Sequence, residues 1–382
     1  MNLKRLRLFL VLITSSLALA ACGNLQSSGL GSTSTTKSKS SVTTTGQASD
    51  GEYQGVIKKG KYLTSKSRGV SQSQDDNTYN LKSFENGLLS ISKKEFATNK
   101  YVFQEGQYLK KATTQNWLAR QSKSNPTGLN PKDNGEKSET KRNPIYLQQL
   151  EEQDYMTQSG SKLSLSGMTI GLGLNQIDYY EKEQYGATYE TKISEATRVA
   201  EGKKMANEVV KRMRKKSGVG KVPIVIALYK QATNDSLVGG TFFAYGVSKN
   251  GSNSITEWHN VDQKNYILPA VNNAKTGSGK ASESFSNFKT QVQNFFPNLS
   301  GVTAQTQYNS GTLSGMKVSI TTQFYSQTEI TSFTQFVATE AQKYLPTGVP
   351  VEITISSTSG VQAFVARESG EKSYYTHVFG SY

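Results

Sequence analysis

The chain has 382 residues, with 44 Lys and Arg against 29 Asp and Glu, a formal net charge of +15, and a single cysteine. One cysteine excludes a disulfide within the chain and any thiolate metal cluster, and this length can bury ordinary cores without either. A charge of this sign suits a polyanionic neighbour such as anionic lipid or wall polymer, while the lack of aromatics interleaved with basic residues argues against nucleic acid.

Lys4, Arg5 and Arg7 open the chain, and the apolar run Leu8 to Ala21 that follows is too short for a permanent membrane span. The run closes in Leu19-Ala20-Ala21-Cys22, with Gly23 next. Small residues before the thiol, with Leu three places ahead of it, are the lipobox pattern of bacterial lipoproteins. The pattern predicts a signal peptide over 1–21, a signal-peptidase cut between Ala21 and Cys22, and a diacylglyceryl group on Cys22. Two acyl chains hold a protein durably where one holds it marginally. The mature chain, 22–382, is therefore expected on the outer face of the cytoplasmic membrane, lipid-anchored and extracellular. Removing 1–21, which carry three basic residues and no acidic one, lowers the charge to +12.

Residues 22–52 are Ser, Thr and Gly with almost no large apolar side chain. They cannot bury enough surface to offset their ordering entropy, so a disordered linker is expected. A selected reach and mere filler are both open readings of its length.

From 53 to 160 the sequence is mixed. Leu81 to Ile91 reads as a helix or turn followed by a strand, and Asn116 to Gln121 as a short helix. Residues 122–143 are polar, with Pro126, Gly128, Pro131 and Gly135, and predict a long loop. Pro144 then opens an expected helix through Tyr155, with Ile145, Leu147 and Leu150 as its apolar positions.

The part from 161 to 382 contains an ordered recurrence. Leu165-Ser166-Gly167-Met168 returns as Leu313-Ser314-Gly315-Met316, each opening a strand-like run followed by a helix, Ser194 to Lys216 and Thr328 to Tyr344. Strands beginning Val222-Pro223 and Val349-Pro350 come next, then Thr241 to Val247 and Val361 to Arg367. This is β-α-β-β twice, over 165–248 and 313–367, and duplication and chance are both open. Between the copies a loop, 249–282, leads to a helix from Ser284 to Phe296 whose phenylalanines read as core. The fold class expected is α+β, mixed or antiparallel sheets with covering helices, as one body or two sub-domains meeting near residue 160.

Candidate sites are few. Lys275 to Lys280 imitates a phosphate loop, but Ala274 and Ala281 stand where the motif needs Gly and Ser or Thr, so it reads as a surface loop. Gly171-Leu172-Gly173 lies within a strand-like run and reads as close packing against a helix. His259 and His377 are isolated, without zinc-ligand spacing or a nucleophile elbow, and a structural role is favoured for each. No catalytic residue, metal or cofactor is expected; an enzyme acting on envelope components, with a site assembled only in the fold around a histidine, is the open alternative. Lys203, Lys204, Lys211, Arg212, Arg214, Lys215 and Lys216 crowd one helix; the helix dipole explains part of the cluster, a solvated face explains more, and contact with anionic polymer or lipid is the functional alternative.

Three further pieces, Tyr101-Val-Phe-Gln-Glu-Gly-Gln-Tyr-Leu109, Gly128-Leu-Asn-Pro131 and Leu150-Glu-Glu-Gln-Asp-Tyr155, occur together with the lipobox and the Val222–Gln231 strand. On these the chain resembles the CamS family of sex pheromone lipoproteins of Gram-positive bacteria. The resemblance implies that an intramembrane protease trims the cleaved leader and that its last residues leave the cell as a mating pheromone. Carried over, that segment is Ser15, Ser16, Leu17, Ala18, Leu19, Ala20 and Ala21. It departs from the family in having only Leu17 and Leu19 as bulky side chains. The partners implied are the membrane, through the lipid on Cys22, and the lipoprotein-processing and intramembrane proteases; the resemblance assigns no activity to the ectodomain.

Overall fold

The computed structural model describes residues 42–47, 51–70, 77–160, 162–271, 274, 276–296 and 300–380. Among them lie five helices and seventeen strands in four sheets, an α+β fold.

The first sheet is small and antiparallel: β1 (Val42–Thr44), β2 (Val56–Lys58) and β3 (Lys61–Tyr62). β1 lies inside the segment expected to be disordered. Its residues are all β-branched and pair with β2 from Val42↔Lys58 to Thr44↔Val56, and Thr45 N–H donates to the Gly55 carbonyl at 2.8 Å. The folded part thus begins by Val42 rather than at Tyr53.

Helix α1 (Thr78–Glu95) is capped by Asn77, whose side chain accepts from Tyr79 N–H at 2.9 Å. Leu88 to Ile91, expected as a strand, belongs to this helix. Phe84, Leu88 and Ile91 recur at helical spacing and share its buried side. β4 (Val102–Glu105) and α2 (Lys111–Leu118) follow, the latter earlier than the helix expected over 116–121. Residues 122–143 form the foreseen loop.

The segment opened by Pro144, expected as a helix, is instead the long strand β5 (Leu147–Ser159), hairpinned to β6 (Lys162–Leu174). β5 lies between β4 and β6 and is covered on both faces: Leu150 enters one core and Tyr155 another, while Gln149, Glu152, Gln153 and Asp154 are buried with them. Double-sided burial of polar residues erases the alternation that announces a half-buried strand.

A separate hairpin, β7 (Ile177–Glu181) with β8 (Thr188–Lys192), precedes α3 (Glu195–Arg214), whose N-cap Ser194 accepts from Thr197 N–H. β9 (Ile224–Lys230), β10 (Thr241–Ser248) and β11 (Trp258–Asn260) complete the first large sheet, ordered β11-β10-β9-β6-β5-β4. The second runs β12 (Gln263–Leu268), β13 (Gly301–Asn309), β14 (Thr312–Thr321), β15 (Val351–Ser357), β16 (Gly360–Arg367) and β17 (Tyr375–Val378), in that order across the sheet. Its helices are α4 (Gly279–Phe295) and α5 (Gln327–Tyr344). The loop expected over 249–282 therefore contains two short strands and the start of α4.

Both large sheets are antiparallel except at the central pair, β6/β9 in one and β14/β15 in the other, where a long helix makes the parallel crossover. The two LSGM pieces occupy equivalent places. Met168 pairs with Ile224 and Met316 with Val351, and each Met N–H donates to the carbonyl of a proline, Pro223 at 3.0 Å and Pro350 at 3.1 Å. In each, the serine before Gly is the extra residue of a bulge, Ser166 opposite Tyr155/Met156 and Ser314 opposite Gln307/Tyr308. The motif thus sits inside its strand rather than opening it. The sheets part at Val261–Asp262; residue 160 is only the turn of the β5–β6 hairpin, so the expected sub-domain boundary is misplaced.

The first large sheet is covered on both faces. Met205, Val209 and Met213 of α3 pack on Ile170, Leu172 and Ile226, while Phe84 and Leu88 of α1 pack on Tyr229 and Phe242 opposite. Gly171 permits this approach, since a Cβ there would lie 2.4 Å from the Phe84 ring. In the second, Phe285, Phe288, Phe333 and Val337 of α4 and α5 cover one face, against Val318, Ile320 and Ile353. Amides stitch the two together: Gln263 accepts from Phe242 N–H at 3.0 Å, Asn265 donates to the Gly239 and Gly240 carbonyls at 3.0 and 3.1 Å, and Gln305 donates to the Leu237 carbonyl at 2.7 Å. Among the described residues no helix is long and apolar enough to cross a membrane.

Candidate functional site

The three motif pieces meet along β5. After β4 the chain turns at Gly106, and the next three backbone N–H groups point at one carboxylate: Glu152 accepts from Gln107 at 3.1 Å, Tyr108 at 2.9 Å and Leu109 at 2.5 Å. Asp154, two residues along the same face of β5, accepts from Gln107 N–H at 3.1 Å. Gly106 is required by contact, because a Cβ would meet the Glu152 carbonyl oxygen at 2.6 Å. Asn130 of the second piece is fully buried and uses its whole amide: it donates to the Leu118 and Leu147 carbonyls and accepts from the Tyr146 and Leu147 N–H groups, all within 2.6–2.8 Å. Tyr155 stacks on Phe96 with centroids 4.6 Å apart. Local hydrogen bonding and packing account for these residues, save that one buried Asp154 oxygen has no hydrogen-bond partner among the described residues.

Burial raises the pKa of both Glu152 and Asp154, and the charge of Glu152 raises Asp154 further. On the opposite face burial pushes Glu151 up to about 8, with the charges of Glu85 and Glu105 adding to it. A carboxyl whose pKa is raised by folding contributes stability below its unfolded pKa and loses it as pH climbs through the folded value. With Asp154 pushed up to about 9 and Glu151 to about 8, stability is expected to fall from about pH 4 to about pH 9, and Asp154→Asn, which keeps an acceptor for Gln107, should flatten that fall. Urea midpoints of both proteins across this range decide the point; an equal or steeper decline in the variant contradicts it. The sequence pattern hides this cluster, because it predicts a helix over β5, on which Glu152 and Asp154 would not share a face.

The basic helix residues divide. Arg214 is buried and donates to the carbonyls of Val219, Val222, Ser248 and Ser252 at 2.5–3.1 Å, so it has no place in a surface contact. Arg212 pairs with Glu208 at 2.8 Å and lies over Trp117, and Lys204 pairs with Glu201 at 3.2 Å. Lys203 sits over Trp258, and Lys216 is half-buried. Lys211 and Lys215 are exposed. His259, exposed on β11, stacks on Tyr245, and His377, exposed on β17, borders Phe364 and Phe379. The structure thus places the two histidines in different sheets. Of the phosphate-loop imitation, Gly277 packs on Tyr308, and Gly279 already begins α4. Ser15 to Cys22 lie outside the described residues.

Comparison with known proteins places the chain. The family model for the CamS sex pheromone cAM373 precursor matches residues 62–373. The crystal structure of a sex pheromone precursor from Lactobacillus salivarius subsp. salivarius UCC118 is similar, with 57% identity and a TM-score of 0.85 over 89% of this chain and 100% of that one. The C-terminal domain of the sex pheromone staph-cAM373 precursor from Staphylococcus aureus is similar at 29% identity and a TM-score of 0.69, over 81% of this chain and 99% of the other. No curated protein matches. With a buried polar framework built from its most specific motifs and a family match over most of its length, the chain belongs to the CamS family of sex pheromone cAM373 precursors.

Proposed function

We propose that this chain is a membrane-anchored extracellular lipoprotein whose cleaved leader is processed to a short apolar mating peptide, Ser15 to Ala21. The observation that carries the reading is Leu19-Ala20-Ala21-Cys22, closing a basic-then-apolar leader at the only cysteine. Membership of a precursor family supports it. The two solitary exposed histidines support a non-catalytic ectodomain.

Each buried methylene of an acyl chain contributes about 0.8 kcal/mol, so losing a two-chain anchor should move essentially all of the protein out of the membrane fraction. Cys22→Ala is expected to do this, and intact-mass analysis of the native protein should show a diacylated N-terminal cysteine. Culture supernatant should contain a mass equal to SSLALAA, and the synthetic peptide should induce conjugation in a responsive strain. An unmodified N-terminus would overturn the anchor; a silent synthetic peptide would overturn the pheromone and leave the anchor standing.

A further inference from the structure

The face of the second large sheet opposite α4 and α5 has no helix over most of its area, and its side chains follow from the register. One row across the strands is Gln305, Lys317, Glu352, Ala366 and Tyr375; the next is Thr303, Ser319, Thr354, Phe364 and His377. Near its β12–β14 side this face meets α1 across a cleft of about 290 Å³. Lys82, Asn86 and Ser90 line the α1 wall at intervals of four residues, a single polar stripe of the helix. Lys317 and Glu352 stand on the sheet wall.

The amides of the cleft differ from these five side chains in one respect. Gln263, Asn265 and Gln305 are spent on bonds across the seam. Among the described residues, no hydrogen bond or ion pair engages the side chains of Lys82, Asn86, Ser90, Lys317 or Glu352, although Lys317 and Glu352 are register neighbours. The cleft is thus held open by one polar set and lined by a second that is free to bind. From it the open face leads to an aromatic cluster, in which Phe364 lies 5.7 Å from Tyr375 and His377 lies 5.1 Å from Phe379. Tyr375 is 61% and Phe379 43% exposed. Four strand spacings from β13 to β17 give a platform about 19 Å long.

Hydroxyls, amides and exposed ring faces on one surface match a saccharide, whose edges hydrogen-bond and whose C–H faces stack on aromatics. The charges narrow the class. Lys82 and Lys317 offer cations to an anionic partner, while Glu352 beside Lys317 would repel a polymer carrying a phosphate on every unit. We propose that the cleft and open sheet face bind a glycan chain bearing carboxylates on some of its sugars. Lys82 and Lys317 take the carboxylates, Glu352 and Asn86 take hydroxyl or acetamide groups, and Tyr375 stacks on a ring farther along. This site is independent of the lipid anchor and of the leader peptide.

The test is calorimetric titration of the purified full-length chain, in detergent, with three probes. These are a hexasaccharide of alternating N-acetylglucosamine and N-acetylmuramic acid without peptide, neutral chitohexaose, and oligouridylate. The muramic-acid glycan should bind at least about tenfold tighter than the other two, and Lys82→Ala or Lys317→Ala should each cost about tenfold. Tyr375→Ala should weaken binding about fivefold, while Lys211→Ala, on the basic helix, should leave it unchanged. All four side chains are exposed or half-exposed, and unchanged circular dichroism would establish that the variants fold. Equal affinity for chitohexaose, preference for oligouridylate, no binding of the muramic-acid glycan, or indifference to both lysine substitutions would each overturn the proposal.

Discussion

Glu152→Ala is expected to remove about 3–5 kcal/mol of folding stability, because it leaves the Tyr108 and Leu109 N–H groups without an acceptor, at about 1–3 kcal/mol each, and leaves Gln107 N–H with Asp154 alone. Glu152 and Leu109 are fully buried, so water can replace the lost carboxylate there only by entering the interior. Glu152→Gln keeps one acceptor oxygen and introduces an amide that can donate to Asp154, so it should cost clearly less. The gap between the two variants separates lost hydrogen bonding from lost charge. Urea unfolding measures both; an alanine variant within about 1 kcal/mol of the parent would show that the loop does not depend on this carboxylate.

Arg214→Ala ranks second, at about 3–4 kcal/mol. The guanidinium at the end of α3 is the common donor to backbone carbonyls from the crossover into β9, from β10 and from the loop after it, and it also reaches the Ser248 hydroxyl at 2.9 Å. Burial lowers its pKa, yet the ion remains charged at any workable pH. Arg214→Lys should recover little of the loss, since a single ammonium cannot span acceptors arranged around a planar fork. Denaturant midpoints of the two variants provide the check, and full rescue by lysine would contradict the geometric argument. The second half of the molecule solves the same problem from another element. There Arg367 on β16 donates to the Val349 carbonyl, which precedes Pro350 as Val222 precedes Pro223.

The legible elements were those with one clean period. α3 and α5 were found almost to the residue, because each buries a single stripe and carries a serine N-cap. β9, β10, β15 and β16 are legible through the recurrence of the Val-Pro starts and of the Phe-Phe-Ala and Ala-Phe-Val-Ala pieces that follow them. β5 was lost because Glu152, Gln153 and Asp154 are polar residues inside a doubly covered strand, a burial that depends on partners more than 40 residues away in sequence. β1 was lost because three β-branched residues carry no weight in a Ser/Thr/Gly background until β2 pairs with them. The motifs that carried the family resemblance proved to be its buried polar framework. Their specificity comes from the demand that every enclosed donor find an acceptor. The cleft under α1 gave no sequence signal, because Lys82, Asn86 and Ser90 look like any solvated helix face until a sheet is seen across from them.

Because the two large sheets keep separate apolar cores and touch mainly through neutral amides, each can lose its order without dragging the other along at once. A molecule lodged in the gap where they adjoin would then behave as a rivet. It would have to be released before either half could melt alone, so its binding energy would appear as cooperativity between halves that the polypeptide itself couples only weakly.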